Sequence, residues 1–149
     1  MRNKRIKVIV LSIAVVLILC AIFLYFSNIK RITIDASQVD SIKIQSIQLE
    51  PNGGPWKWSE KVITRKEDIE KVTGFLNSIW YKNKKQVQEA GFYLIIIIKG
   101  KKDYHFVFKG GIINANGTDY RTPLSKDKEA HDIYNSLNYT KTAVTNLGK

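Results

Sequence analysis

Phe92-Tyr93-Leu94-Ile95-Ile96-Ile97-Ile98 is the stretch whose reading decides the fold of this chain. Gly91 opens it, and Gly100-Lys101-Lys102-Asp103 follows it as turn chemistry. The run is apolar at both parities, so both sides of the strand need cover, which places it in the middle of a sheet. At an edge the same β-branched run is an aggregation hazard.

Working outward toward the C-terminus, Tyr104, Phe106 and Phe108 share one parity of a strand over 104–109. Gly110-Gly111 turns the chain into a short strand, 112–115. Asn116-Gly117 is the favoured pair for a two-residue hairpin and returns the chain through 118–122. Pro123-Leu124-Ser125 introduces a helix to about Leu137, with Ser125 as its cap and Asp127 and Glu129 in its first turn. Ala130, Ile133, Tyr134 and Leu137 form its apolar side. Residues 141–149 read as a flexible tail.

Outward in the other direction, 81–90 is a lysine-rich polar loop preceded by a longer helix. Thr64 with Glu67 is a capping box, and Ile69, Val72, Leu76, Ile79 and Trp80 follow helical spacing. Gly74 costs that helix about 1 kcal/mol against alanine, which predicts a close-packed neighbour there. Residues 41–50 form a strand in which Ile42 and Ile44 share one parity and Ile47 and Leu49 the other. A bulge near Gln45-Ser46 returns all four to one face. Pro51-Asn52-Gly53-Gly54-Pro55 folds the chain back, so that 56–63 pairs with it and Trp56, Trp58 and Val62 share a face. The order β-β-α-β-β-β-β-α predicts an α+β class: a twisted antiparallel sheet packed on one long helix, plus a short C-terminal helix, as in the cystatin-like element order.

Furthest out lies an uncharged run, residues 8–26, preceded by Arg2, Lys4, Arg5 and Lys7 and followed by Lys30 and Arg31. Its 19 residues make roughly 28 Å of helix against ~30 Å of bilayer hydrocarbon, enough for a transmembrane helix. Two readings compete with an uncleaved anchor. Secretion needs a shorter apolar core and small residues at the cleavage site, where bulky Tyr25 stands. Lipidation of Cys20 suits Leu17, but Leu19 sits where a small residue belongs, and residues 21–26 stay apolar. The flanking charge places the N-terminus in the cytoplasm and the C-terminal domain outside. The expected organisation is a basic cytoplasmic segment (1–7), an anchor (8–26), a stem (27–40), an extracytoplasmic domain (41–140) and the tail.

Six of the 24 Lys and Arg fall within residues 1–31, so 18 face 13 acidic residues in the rest, an excess of +5. That balance suits anionic lipid, an anionic wall polymer or plain solubility, and the outside location excludes nucleic acid. Cys20 is the only cysteine, so the external part has no disulfide and must stand on its own core. The triplets Asn116-Gly117-Thr118 and Asn138-Tyr139-Thr140 read as a turn and a helix end rather than glycosylation acceptors.

The sequence holds little chemistry. His105 and His131 are the only histidines, His105 on the strand face opposite Phe106 and His131 on a helix surface. Two histidines without external thiols do not make a metal site, and no Gly-x-Ser-x-Gly elbow is present. Gly53-Gly54 and Gly110-Gly111 are backbone turns rather than phosphate loops. The expectation is no enzyme, no metal and no cofactor. Candidate partner-binding residues are Trp56 and Trp58, as an aromatic platform, and Lys82, Lys84 and Lys85 with Lys99, Lys101 and Lys102, as a basic rim if loop and hairpin adjoin.

From Asp40 to about Leu137 the chain resembles a family of small, uncharacterised envelope proteins of Gram-positive bacteria that carry an N-terminal anchor or lipobox. The residues behind this are Ile42-Lys43-Ile44, Thr64 with Glu67 and Ile69, Leu76-Asn77-Ser78-Ile79, Gly91 through Ile96, Gly100-Lys101, Phe106-Val107-Phe108, and Asn116-Gly117 with Tyr120. The resemblance implies a cell-envelope module and transfers no active residues. The expected function is a non-enzymatic single-pass membrane protein that binds or regulates another envelope component, an envelope protein or wall polymer. The alternative is a membrane-tethered, cystatin-like inhibitor or immunity protein directed at a protease or toxin.

Overall fold

A computed structural model describes residues 2–27, 29–48, 57–83 and 93–144; within the first helix, the side chains described are those of 11–23 and Ser27. The chain forms two units, Met1–Lys30 and Arg31–Lys149.

The first unit is helix α1 (Arg2–Ser27) followed by a short extended segment, β1 (Ile29–Lys30). Leu11, Ile13, Val15, Val16, Leu17, Ile18, Leu19, Ile22 and Phe23 are all exposed. Consecutive residues step 100° around a helix, so the run from Val15 to Leu19 alone puts apolar side chains on every side. Among the described residues no helix is long and apolar enough to cross a membrane. The described side chains 11–23 account for about 20 Å of helix, against the ~30 Å that a crossing requires.

The second unit is α+β. After a 3-10 turn (Ala36–Gln38) come β2 (Val39–Gln48), β3 (Lys57–Ile63), α2 (Lys66–Asn77), β4 (Tyr81–Asn83), β5 (Tyr93–Gly100), β6 (Tyr104–Lys109), β7 (Ile112–Ala115), β8 (Thr118–Arg121), α3 (Leu124–Ser136) and β9 (Thr142–Ala143). β2 to β9 lie in one sheet in the order β4-β8-β7-β6-β5-β2-β3-β9, with every described pairing antiparallel. The isoleucine-rich strand is interior, between β2 and β6, as its two-sided apolarity requires.

Alternation divides the sheet into two faces. The inner face carries Ile42, Ile44, Ile63, Leu94, Ile96, Ile98, Phe106, Phe108, Ile113 and Tyr120. Ile69, Val72, Phe75 and Leu76 of α2 and Ala130 and Tyr134 of α3 join the same buried cluster. Both helices therefore cover one face, where the sequence pattern assigned that place to one long helix alone; α2 has 12 residues and α3, expected to be the short one, has 13. Phe75 stacks on Phe108 at 5.9 Å, and burying each such ring contributes about 1.5–3 kcal/mol.

Several local expectations are corrected. The register of β2 runs unbroken from Ile42 to Gln48 against β3, and its irregularity lies between Val39 and Ser41, not at Gln45-Ser46. No bulge is needed there because both faces are occupied: Ser46 turns inward, and Gln45, fully buried on the other face, donates to Glu60 at 3.1 Å. The capping box does not form, since α2 starts one residue later with Arg65 at its cap and no side-chain bond. Arg65 instead pairs with Asp68 at 2.7 Å and donates to the Tyr139 hydroxyl, tying the helix start to the chain beyond α3. Pro123, not Ser125, stands at the N-cap of α3 in extended conformation (φ −60°, ψ 141°), again without a side-chain cap. An added Cβ on Gly74 meets nothing within 4 Å, so no close neighbour explains that glycine. Trp80 lies past the end of α2 and is half exposed, with the Arg31 guanidinium 5.2 Å above its ring.

Two short strands were invisible to pattern. Tyr81 opens β4 rather than a loop, and its ring meets Tyr120 edge-on at 5.4 Å. Thr142 and Ala143, expected in the tail, pair with β3. From Arg31 on, the segment expected as a stem also belongs to the second unit. Ile34 is buried, and Asn77 brackets it by accepting its N–H at 2.8 Å and donating to its carbonyl at 2.9 Å.

Candidate binding surface

The candidate surface is the sheet face opposite α2 and α3. On it β2 and β3 contribute Lys43, Gln45 and Ile47 beside Val62, Glu60 and Trp58. β5 and β6 contribute Tyr93, Ile95 and Ile97 beside Lys109, Val107 and His105. Ile112, Asn114, Asp119 and Arg121 complete it, with Lys82 opposite Arg121. Ile95, Ile97, Ile112 and Gln45 are buried, so this face is not a bare polar surface.

Register aligns these side chains in rows that run across the strands. The first row is made of three paired groups at one end of the face, Lys82 with Arg121 and Ile112, Lys109 with Tyr93, and Ile47 with Trp58. Two residues further along each strand, the second reads Asp119, Asn114, Val107, Ile95, Gln45, Glu60. The third holds His105, Ile97, Lys43 and Val62. In the first row Lys82 and Arg121 are exposed, Lys109, Tyr93, Ile47 and Trp58 are half-buried, and Lys109 Nζ lies 6.0 Å from the Tyr93 ring centre. The row holds three cations and no carboxylate. The carboxylates of the second row are engaged: Asp119 accepts from Asn114 at 2.7 Å, and Glu60 accepts from Gln45 and lies 3.8 Å from Lys43.

Of the residues singled out from sequence, Trp58 takes the far end of the first row and Lys82 the near end. Trp56, Lys84 and Lys85 lie outside the described residues. Lys101 and Lys102 sit in the β5–β6 turn, at the other end of the sheet. There the Lys101 N–H donates to Gln38 O at 3.0 Å, Lys102 lies 5.1 Å from the Tyr104 ring, and Lys99 pairs with Asp103 at 2.5 Å. The register thus does not bring Lys82 beside the hairpin lysines; it brings Arg121 beside Lys82, with Lys109 two strands beyond Arg121. Sequence reasoning missed those two because nothing in the local pattern says which strands become neighbours. The side chains of Arg2, Lys4, Arg5 and Lys7 are outside the described residues.

The histidines do not meet as a site. His105 is half-buried on the outer face, its Nε2 is enclosed without a hydrogen-bond partner, and burial lowers its pKa. His131 lies on α3 with Nδ1 3.2 Å from Asn135 Nδ2. Among the described residues no group of three metal-ligating side chains gathers.

Two buried ionisable groups serve the fold. Lys61, 3% exposed, donates to the carbonyls of Tyr134 at 2.7 Å and Leu137 at 2.5 Å, closing the C-terminal end of α3. Its ammonium also lies 4.6 Å from the Tyr134 ring centre, and burial followed by nearby Lys141 lowers its pKa. Asp127 accepts the Gly111 N–H at 2.6 Å, holding the β6–β7 turn to α3. Its other oxygen is enclosed without a partner, and burial raises its pKa against the lowering effect of the Gly111 bond.

Comparison of the chain with known protein families, with curated proteins and with solved structures finds no match.

Proposed function

We propose that this chain is a single-pass membrane protein with a cytoplasmic N-terminus, whose extracytoplasmic α+β unit binds or regulates another cell-envelope component without catalysing a reaction. The observation that carries this reading is α1, whose nine large apolar side chains are exposed on all sides. A helix apolar all round is stable in a protein core or in lipid, not in water. The sequence extends the uncharged run to residues 8–26, the length of a crossing, and the excess of basic residues before it sets the orientation. Membership among small anchored envelope proteins of Gram-positive bacteria is part of the same proposal and rests on the residues that carry the resemblance.

Fractionation and protease shaving of intact cells producing the full chain, tagged at the N-terminus, test it. The chain is expected to sediment with membranes and to resist alkaline washing. External protease should digest the second unit and leave the tag protected. A soluble chain, a shielded C-terminal unit, or a mature amino end downstream of Phe26 overturns the proposal.

A second reading, a tethered inhibitor or immunity protein, is supported by helical cover on one face of an antiparallel sheet, the arrangement behind the cystatin-like comparison, although two helices of similar length share that face. Protection of protease activity or of toxin-sensitive cells by the full chain separates it from an adaptor.

A further inference from the structure

We propose that Asn116-Gly117 is a latent self-modification site, an asparagine–glycine pair that cyclises to a succinimide, and that Asn114 and the His105 backbone hold it inert while the β7–β8 hairpin is closed. The pair forms the two-residue turn between Ala115 and Thr118, which face each other across the hairpin. Both residues are exposed, and a Cβ added to Gly117 would meet nothing within 4 Å, so water and base reach the turn. In the reaction the Gly117 nitrogen gives its proton to a base and attacks Cγ of Asn116. A C–N bond forms, and the carboxamide nitrogen takes up a proton and leaves as ammonia. Water then opens the ring at either carbonyl. The product is aspartate or, with the main chain rerouted through the side chain, isoaspartate. One water is consumed and one ammonia released, with no change in oxidation state. Glycine favours the attack because no side chain crowds the nitrogen.

The hairpin ties down both reacting groups. The Gly117 N–H donates to Asn114 Oδ1 at 3.0 Å, so its proton is engaged. The Asn116 carboxamide is held on β6, where its Oδ1 accepts the His105 N–H at 2.8 Å. The Asn116 N–H donates back to the His105 carbonyl at 2.8 Å. Asn114 is fixed in turn from across the hairpin, donating to Asp119 Oδ1 at 2.7 Å. Cyclisation requires the carboxamide to leave His105 and the Gly117 N–H to leave Asn114, and each lost bond raises the barrier. Local opening of β7 from β8 removes the restraint. Isoaspartate adds one main-chain atom to a turn of two residues. It thereby disturbs the register that pairs Asn114 with Asp119 and Ile113 with Tyr120. The modification thus marks chains whose hairpin has opened and hinders its return.

The test incubates the full chain in mild detergent and mildly alkaline buffer. Trypsin then releases the peptide 110–121, and fragment mass spectrometry assigns the change to Asn116. In the chain unfolded by urea, Asn116 should convert as fast as Asn52, which also precedes a glycine. In the folded chain it should convert at least about ten-fold more slowly, equivalent to ~1.4 kcal/mol of added barrier. Asn114→Ala removes the acceptor of the Gly117 N–H and should restore several-fold of that rate. Leu76→Ala weakens the core away from the turn and should leave the rate within about two-fold, because distant sites act independently. Circular dichroism checks that each variant is folded under the conditions of incubation. Equal rates in the folded and unfolded chain, no conversion at Asn116 in urea, an Asn114→Ala chain as slow as the natural one, or the same acceleration from Leu76→Ala as from Asn114→Ala overturns the proposal.

Discussion

In α1 the residues 15–19 read Val-Val-Leu-Ile-Leu, and each is exposed; in α2 Ile69, Val72, Phe75 and Leu76 are buried while Lys66, Glu67, Glu70 and Lys71 are exposed. The helices differ little in backbone and entirely in the period of their apolar residues. A stripe repeating every three or four residues finds one neighbour, here the inner face of the sheet, and its burial contributes to folding. An apolar surface that runs all the way round has no single neighbour to find and calls for a protein core or an apolar solvent. The difference teaches that the period of the apolar residues, not their number, decides whether a helix joins the core of the second unit; on the membrane reading proposed above, α1 concerns where the chain resides.

The comparison is open to attack at either helix. The largest effect is expected from Val16→Arg with Leu17→Arg, each costing about 2.5–3.5 kcal/mol at the centre of a membrane-spanning helix. On the membrane reading proposed above, retention should collapse, while the thermal melting of the second unit, followed by circular dichroism, should stay as it was. Leu76→Ala is the converse. Leu76 is fully buried, so the second unit should lose about 2–5 kcal/mol in urea unfolding with retention unaffected. If either change moved both readouts, the division of labour between the helices would be wrong.

Smaller effects sharpen the picture within the second unit. A Cβ on Gly100 meets backbone atoms of the β2 strand start, Val39 Cα at 2.9 Å among them. Gly100→Ala should cost about 1–3 kcal/mol, because backbone cannot step aside as a side-chain tip does. Gly74→Ala runs the other way: with open space around an exposed helical glycine, stability should rise by up to about 1 kcal/mol. A loss there would reveal a neighbour that the structure does not have.

The smallest effect is pH-dependent. Burial raises the Asp127 pKa above its unfolded value, so the native state holds a proton that the unfolded chain has already released. That stabilising contribution is full below the unfolded pKa and is lost as pH rises through the folded one. Asp127→Asn keeps an acceptor for the Gly111 N–H and should flatten the dependence in urea unfolding between about pH 3 and 7. A variant whose stability relative to the natural chain falls as pH rises would reverse the assigned direction.

Much of the fold was legible in local pattern, and the misreadings cluster where a residue answers to a distant element. The two-sided isoleucine run predicted an interior strand, and Asn116 and Gly117 take the positive φ values, 50° and 84°, that their hairpin turn demands. Thr64 and Ser125 looked like caps because the sequence shows only their own turn. The structure gives the start of α2 to Arg65, whose partners include Tyr139, and Asp127 to the Gly111 turn. Lys61 reads as a solvent-facing strand residue until the end of α3, more than 70 positions away, supplies two carbonyls for it. In β3 the face with Trp58 and Val62 turned outward and the face with Ser59, Lys61 and Ile63 turned inward, against any count of hydrophobicity. The candidate surface was legible in Trp58 and Lys82 alone, since Arg121 and Lys109 join them only through strand order.

Sequence alone determined most of the elements and their kind: an all-round apolar helix, an amphipathic one, and the longer strands, whose alternation and turns are set by neighbours a few residues away. Those are local consequences of side-chain period and backbone sterics, so they need no knowledge of the rest of the chain. Tertiary structure decided which strands lie side by side, which face of β3 meets the helices, and hence which charges form a row. Those choices follow from burying one shared core and satisfying its buried polar groups, conditions that only the whole assembled unit can meet.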